Sequence, residues 1–268
     1  MVSTPLIIGH RGASAVAPEN TLAALSRALE DGADGIEFDV RLSRDRVAVI
    51  IHDANLKRTG QIDRLVAELT AAELNHCDVS SWFKPLQTEE KRYAGTVPTL
   101  AQVFELFQQT NSLLYLEMKS DAADAKALAE TVVYEIRNAQ IAGRVVVSSF
   151  DLAAIALVKK IDPAISTAAL FEPKLSRPLS TIRRLKMIDL AAEQRADEIA
   201  LHHSLVSARV VEKAGQLGLP VVVWTVDAVN WIRRARRLGL KALITNNPAA
   251  MIHQRDSVSN SLPANAAR

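Results

Sequence analysis

Short apolar, β-rich runs alternate along the chain with longer stretches of helical periodicity. Strands are expected at Leu6–Gly9, Gly35–Val40, Leu113–Met118, Val145–Ser149, Thr167–Phe171, Glu198–His202, Pro220–Val226 and Ala242–Thr245. Most of these runs are continuously apolar, not alternating in polarity, as parallel strands buried on both faces require. Between them lie amphipathic stretches such as Thr21–Glu30, which Asn20 or Thr21 can cap and Gly32 can stop. Eight strands separated by helices predict an α/β chain closed into a (β/α)8 TIM-type barrel. An open doubly wound sheet fits less well, because the first strand runs into Gly9-His10-Arg11-Gly12 and no strand is followed by a GxGxxG turn.

One connection breaks the rhythm. The chain takes about 70 residues from Val40 to Leu113, where a βαβ unit needs roughly 30. Val47–Ile51 reads as a further strand, and the turn at Ser43-Arg44-Asp45-Arg46 is too short for anything but an antiparallel hairpin. With an even loop centred on Arg44-Asp45, His52 falls opposite Glu37 and shares its face; an odd loop would turn the return strand over. The following segment is polar, with an embedded Trp82-Phe83. It is expected as a small cap insertion, about residues 54–96, after the second barrel strand. Residues 1–255 are then a single catalytic β/α barrel, and the unperiodic Ser-, Asn- and Ala-rich 256–268 a flexible C-terminal tail.

Bulk properties narrow the class further. The 268 residues are 49% hydrophobic and 23% charged, ordinary for a globular fold, and the formal net charge of +2 offers no field for nucleic acid. A single cysteine, Cys77, rules out an internal disulfide and a Cys-rich zinc site. The N-terminal apolar run is too short for a signal sequence, and no stretch of apolar residues is long enough for a membrane span, so a cytoplasmic protein is expected. Nothing in the sequence bears on oligomeric state.

The polar residues gather at expected strand ends, where barrel enzymes carry their reacting groups. His10-Arg11 closes the first strand, Glu37 and Asp39 the second, Glu117 and Lys119 the third; Trp224 and Asp227 lie late in the seventh, and Asn246-Asn247 follow the eighth. Glu37 and Asp39 are two apart on a strand and so share a face. Close carboxylates repel unless a cation neutralises them, and an all-oxygen set completed by Glu117 favours one Mg²⁺ or Ca²⁺. His10 and His52 each end an apolar strand, placed to act as acid and base about a bound anion. Arg11 and Lys119 supply fixed positive charge for phosphate oxygens. The divalent cation, three acids and two basic side chains together leave one positive charge, which matches a singly charged phosphodiester.

In order and spacing, His10-Arg11-Gly12, Pro18-Glu19-Asn20-Thr21, Glu37-x-Asp39, His52-Asp53, Ser81-Trp82-Phe83, Val97-Pro98-Thr99-Leu100, Glu117-Met118-Lys119, Ser148-Ser149-Phe150 and Trp224-Thr225-Val226 resemble the glycerophosphodiester phosphodiesterases. The resemblance implies a phospholipase C-like barrel that hydrolyses glycerophosphodiesters to glycerol 3-phosphate and an alcohol. It implies His10 and His52 as the acid/base pair and Glu37, Asp39 and Glu117 as ligands of Mg²⁺ or Ca²⁺. Arg11 and Lys119 would contact phosphate, Glu19 and Asn20 would support the site, and Trp82-Phe83 would form part of the cap. Trp224 is a candidate to stack on glycerol. Three positions depart from the pattern: Asp45-Arg46 stands where the hairpin usually has Asp-Gly, Asp227 where Asn often follows Trp-Thr-Val, and Asn246-Asn247 in a Thr-Asp-x-Pro position. The alternatives are a lysophospholipase D-type phosphodiesterase, which needs an apolar channel, and a non-catalytic glycerophosphodiester-binding barrel.

Overall fold

The structure, a computed structural model, describes residues 4–84, 95–119, 124–173 and 181–260, with the side chains of 181–183 and 259–260 excepted. Residues 85–94 of the expected cap and 261–268 of the expected tail lie outside the described residues. Among the described residues nine strands run in order: β1 Leu6–His10, β2 Gly35–Leu42, β3 Ala48–Ile50, β4 Leu113–Met118, β5 Val145–Ser149, β6 Ser166–Phe171, β7 Glu198–His202, β8 Val221–Trp224 and β9 Ala242–Thr245. The helices are α1 Leu22–Glu30, α2 Ala71–Leu74, α3 Leu100–Phe107, α4 Ala125–Ala139, α5 Leu152–Ile161, α6 Thr181–Glu193, α7 Ala208–Gln216, α8 Trp231–Leu238 and α9 Pro248–Asn260.

Every strand but β3 pairs in parallel with its barrel neighbours, and β1 pairs with both β2 and β9, closing the eight-stranded barrel. Inward-facing Ile8, Tyr115, Val146, Ala168, Leu170, Ala200, Val222 and Ile244 fill its interior. The outward faces pack under the helices; Ile36, Phe38 and Leu116, all fully buried, meet Leu25, Phe104 and Val132. A side chain of this size buried completely contributes about 1.5–3 kcal/mol. The apolar strand runs are thus continuous because each strand is covered on both faces. Helix starts follow local chemistry: the Thr21 side chain accepts from the Ala24 N–H, and Thr99 and Gln102 form a reciprocal capping box on α3.

Three details depart from the sequence reading. First, the hairpin loop is odd. Ser43 N–H donates to Val47 O at 3.0 Å, Arg46 takes φ 60°, and Val40 faces Ile50. A three-residue loop ending in a left-handed residue is the standard odd solution, so the expected Glu37–His52 pairing does not form. The chain instead leaves the ladder after Ile51, whose N–H still donates to Asp39 O at 3.0 Å, and bends through 52–54. Arg41 clamps that bend: its Nε donates to His52 O at 2.9 Å and its Nη1 to Lys119 O at 3.2 Å. Second, the segment after β3 is not merely polar. Leu56, Val66, Leu69, Leu74, Val79 and Val97 form a small cluster with Val49 and Ile51 of the hairpin. Their irregular spacing carries no periodic signal. Third, α9 continues to Asn260, taking up the first residues of the expected tail.

Candidate active site

Strand register builds the site. His10 on β1 is paired with Glu37 on β2, and Asp39 on β2 with Glu117 on β4, all on the inward face and at the C-terminal end of the barrel. The turn after β1 folds back sharply: Arg11 has φ 54° and Gly12 φ 85°, and a Cβ on Gly12 would lie 2.4 Å from the Ala24 carbonyl. That turn delivers the Arg11 backbone N–H to Glu37 Oε2 at 3.1 Å and its Nε to within 3.2 Å of Asp39 Oδ2. Asn20, also at positive φ, makes a two-way contact with Asp39: its Nδ2 donates to Oδ2 at 2.8 Å, and its Oδ1 accepts the Asp39 N–H at 3.2 Å.

Glu37, Asp39 and Glu117 are buried, and one oxygen from each lies within 4.8 Å of the others. Lys119 Nζ reaches Asp39 Oδ1 at 3.2 Å and Glu117 Oε1 at 2.5 Å. Burial would raise the Asp39 carboxyl, but Lys119 and Arg11 beside it hold it well below the usual carboxylate range. Its neighbours go the other way. Burial, with repulsion from Asp39 and Glu117, raises Glu37 well above 4.5; burial and Asp39 push Glu117 up to about 7. Two cationic side chains therefore do not neutralise three buried acids. Among the described residues, Asp39 Oδ1 and Glu117 Oε1 also lack a well-directed hydrogen-bond donor, their contacts with Lys119 being close but poorly aligned. Unneutralised, all-oxygen and in mutual reach, the cluster fits a hard divalent cation.

The histidines stand on either side of these acids. His10 Nε2 is 3.9 Å from Glu37 Oε2, and its Nδ1 lies 2.7 Å from Asn246 Oδ1. Burial, aided by Arg11, lowers its pKa to about 4. His52 Nδ1 lies 2.7 Å from Asp53 Oδ1. Its pKa is also lowered, by burial first, although Asp39 and Asp53 pull it upward. Arg58 links this side to the first loop. Its Nε donates to Asp53 Oδ2 at 2.6 Å, and its two Nη groups donate to Glu19 at 2.8 and 2.7 Å. Glu19 Oε1 in turn accepts from Arg11 Nη1 at 2.8 Å.

A cavity of about 380 Å³ opens among these groups, walled by His10, Arg11, Glu37, His52, Glu117 and Lys119 on one side and by Tyr115, Phe150, Leu170, Trp224 and Ile244 on the other. Phe150 and Trp224 meet edge to face at 5.5 Å, and the buried Trp224 Nε1 has no hydrogen-bond partner among the described residues. Glu19 and Asn20 stand behind Arg11 and Asp39. Trp82 and Phe83 are not in the cavity wall; Trp82 lies against the Arg58 guanidinium at 5.7 Å and donates to Val79 O. Sequence reasoning passes over Asp53 and Arg58 as site residues, since a solvent-facing Arg in an irregular loop has no distinguishing signal. It places Asp227 and Asn246 among the polar residues at strand ends and notes them as departures, without linking them. In the structure they touch each other, and Asn246 touches His10.

Comparison with known proteins agrees with this geometry. The sequence profile described as "Glycerophosphoryl diester phosphodiesterase family" matches residues 10–250. A glycerophosphodiester phosphodiesterase from Caldanaerobacter subterraneus is 31% identical over 92% of this chain and 96% of its own. Among solved structures, an Oleispira antarctica phosphodiesterase in complex with the product sn-glycerol-3-phosphate superposes with a TM-score of 0.81 at 27% identity, covering 94% of this chain and 97% of that one. A glycerophosphodiester phosphodiesterase from Agrobacterium tumefaciens gives a TM-score of 0.75 at 25% identity, covering 93% and 99%.

Proposed function

The chain belongs to the glycerophosphoryl diester phosphodiesterase family, and on that premise we propose that it hydrolyses glycerophosphodiesters such as glycerophosphocholine or glycerophosphoethanolamine. The products are sn-glycerol 3-phosphate and the free alcohol, formed by paired-histidine catalysis with a divalent cation. The observation that carries this reading is the register His10–Glu37 and Asp39–Glu117, which gathers one histidine and three buried acids at the mouth of the barrel, in the cavity that His52 also lines.

Glu37, Asp39 and Glu117 would hold the cation, Mg²⁺ or Ca²⁺; when bound, it supplies positive charge against the phosphoryl oxygens. Arg11 and Lys119 border the same cavity, and their remaining N–H groups face phosphate with fixed charge that needs no rearrangement. His10 is neutral, because burial and Arg11 depress its pKa to about 4. Its Nε2 accepts the proton of the attacking hydroxyl. His52, held at Nδ1 by the Asp53 carboxylate, is the better site for an imidazolium and returns a proton to the leaving alcohol. Trp224, in the cavity wall, offers an indole face to the glycerol end.

Purified protein treated with EDTA and supplied with glycerophosphocholine should release neither choline nor glycerol 3-phosphate until Mg²⁺ or Ca²⁺ is restored. Turnover that persists in chelator removes the cation from the reading. Faster turnover of lysophosphatidylcholine than of glycerophosphocholine replaces the substrate assignment with the lysophospholipid one. Binding without turnover under every cation removes the enzymatic reading altogether.

A further inference from the structure

Asp227 and Asn246, nineteen residues apart, form a relay that ends on His10. Asn246 Nδ2 donates to Asp227 Oδ2 at 2.7 Å, and the Asn246 backbone N–H donates to Asp227 Oδ1 at 2.7 Å. Thr245 Oγ1 adds a third donor to Oδ1 at 2.9 Å. On the far side, Asn246 Oδ1 accepts from Ser14 Oγ at 2.9 Å and lies 2.7 Å from His10 Nδ1.

The partners settle where the hydrogens are. A carboxylate has only acceptors, so the atom of Asn246 facing Asp227 must be its amide nitrogen. The amide oxygen then faces His10. That oxygen can only accept, so His10 Nδ1 must carry the ring hydrogen. In the neutral ring the lone pair is left on Nε2, the nitrogen 3.9 Å from Glu37 Oε2 and open to the cavity.

We propose that Asp227 is a positioning residue for the reaction: by orienting the Asn246 amide it fixes the His10 proton at Nδ1 and keeps Nε2 free for the reacting group. This rests on the reading of the cavity as the phosphodiester site with His10 as base. The relay has a property that a simple packing contact lacks. If the two residues are exchanged, a carboxylate at 246 still accepts from His10 and Ser14. An amide at 227 donates to it through Nδ2 and accepts the 246 backbone N–H through Oδ1. Every hydrogen bond survives the double exchange. Each single exchange breaks the complementarity. In Asp227→Asn, nothing compels Asn246 to present its oxygen to His10. In Asn246→Asp, two carboxylates face each other across a hydrogen-bond distance.

The test compares wild type, D227N, N246D and the double variant D227N/N246D. For each, kcat and KM are measured on glycerophosphocholine with Mg²⁺. The tautomer of His10 is read in substrate-free protein by ¹⁵N imidazole NMR, with the signal assigned by its loss in His10→Gln. The wild type should show the Nδ1–H tautomer. D227N should show a mixture and lose about 10–100-fold in kcat at little-changed KM, the scale on which an orienting partner of a reactive histidine works. D227N/N246D, whose new carboxylate at 246 raises the His10 pKa, should recover the tautomer and most of kcat once the pH is high enough to leave the ring neutral, with the kcat profile shifted to higher pH, which a general stability defect in D227N would not predict. D227N with wild-type kcat and a pure Nδ1–H signal overturns the proposal, as does a double variant no better than the worse single one. Should wild type hydrolyse no glycerophosphodiester, the functional reading fails by itself, and an unchanged His10 tautomer in D227N would still overturn the relay.

Discussion

The unneutralised acid cluster makes a prediction that can be read without any turnover: Glu117→Gln should change the pH dependence of stability in opposite directions with and without cation. In chelated protein, burial and Asp39 push the Glu117 carboxyl up to about 7 from 4.5. A raised folded-state pKa means that the folded protein keeps a proton the unfolded chain has released. The stability this contributes is full below 4.5 and is lost as pH rises towards 7. A displacement of about 2.5 units at 1.36 kcal/mol each makes the loss about 3 kcal/mol. His10 works against it over nearly the same range. With its pKa depressed from 6.5 to about 4 by burial and Arg11, it gains stability as pH rises from 4 to 6.5. The wild-type curve alone therefore mixes opposing contributions, Glu37 and His52 among them, and the difference between variant and wild type is what isolates Glu117. The glutamine side chain of the variant has no proton to release, and its neutrality also eases Glu37 in the same sense. In urea unfolding with EDTA, E117Q should gain on wild type by about 3 kcal/mol between about pH 4.5 and pH 8. With Mg²⁺ present, the wild-type carboxylate is held ionised by the ion, and wild type should gain on E117Q as pH rises. A difference that stays flat in EDTA, or that is the same in both buffers, refutes the buried-cluster argument.

Replacing His10 or His52 with Ala should each lower kcat on glycerophosphocholine by at least about 10²-fold, and a variant of near-normal rate would lose its place in the mechanism. Arg58→Met keeps an unbranched stem beside Trp82 but removes the donors to Asp53 and Glu19. It should cost about 10-fold in kcat/KM with little change in Tm, since half-exposed ion pairs add little stability. An unchanged kcat/KM would show that the chain through Glu19 to Arg11 is idle. Gly12→Ala should destabilise by at least about 2 kcal/mol in urea unfolding, from positive φ and a Cβ driven into the Ala24 backbone. A loss under about 0.5 kcal/mol would mean that the turn relaxes freely.

The barrel is legible in the sequence because burial on both faces leaves unbroken apolar runs; Leu113–Met118, Val145–Ser149, Glu198–His202 and Ala242–Thr245 have the same ends in the sequence pattern and in the fold. The pairing of Glu37 and Asp39 on one face follows from strand periodicity alone. What fails is parity. The number of residues in the turn at Ser43–Val47 decides which side chains face inward, and Arg46 takes the left-handed conformation that makes the loop odd without being glycine. His52 reaches the cavity by a bend clamped by Arg41, a long-range contact to two carbonyls that no local pattern encodes. Arg58 escapes notice, and Asp53 is seen only as the neighbour of His52, for a related reason: Arg58 joins Asp53 to Glu19, on another loop. Asp227 and Asn246 each look like an isolated departure. Their spacing exceeds any local motif, so only the fold of the β8 and β9 loops reveals them as partners.

That partnership also accounts for the opposite parts that the proposed mechanism gives to two identical side chains. Each histidine is gripped at Nδ1, which leaves Nε2 as its working atom, but the grips differ in charge. His10 meets a neutral amide, and the carboxylate that orients the amide stands one residue further away. An imidazolium there would gain little from its partner and would face Arg11, so the neutral ring is favoured. His52 meets the carboxylate of Asp53 directly, which favours a proton on the ring. Asp53 is shared with Arg58, and Arg58 with Glu19, which accepts from Arg11 on the phosphate side of the cavity. On the proposed mechanism, acid, phosphate ligand and the loops that carry them are thereby joined in one run of ion pairs, while the base hangs on a separate link through a neutral amide. A substitution in the ion-pair run should disturb phosphate binding and proton return together, whereas one at Asp227 should reach the base alone.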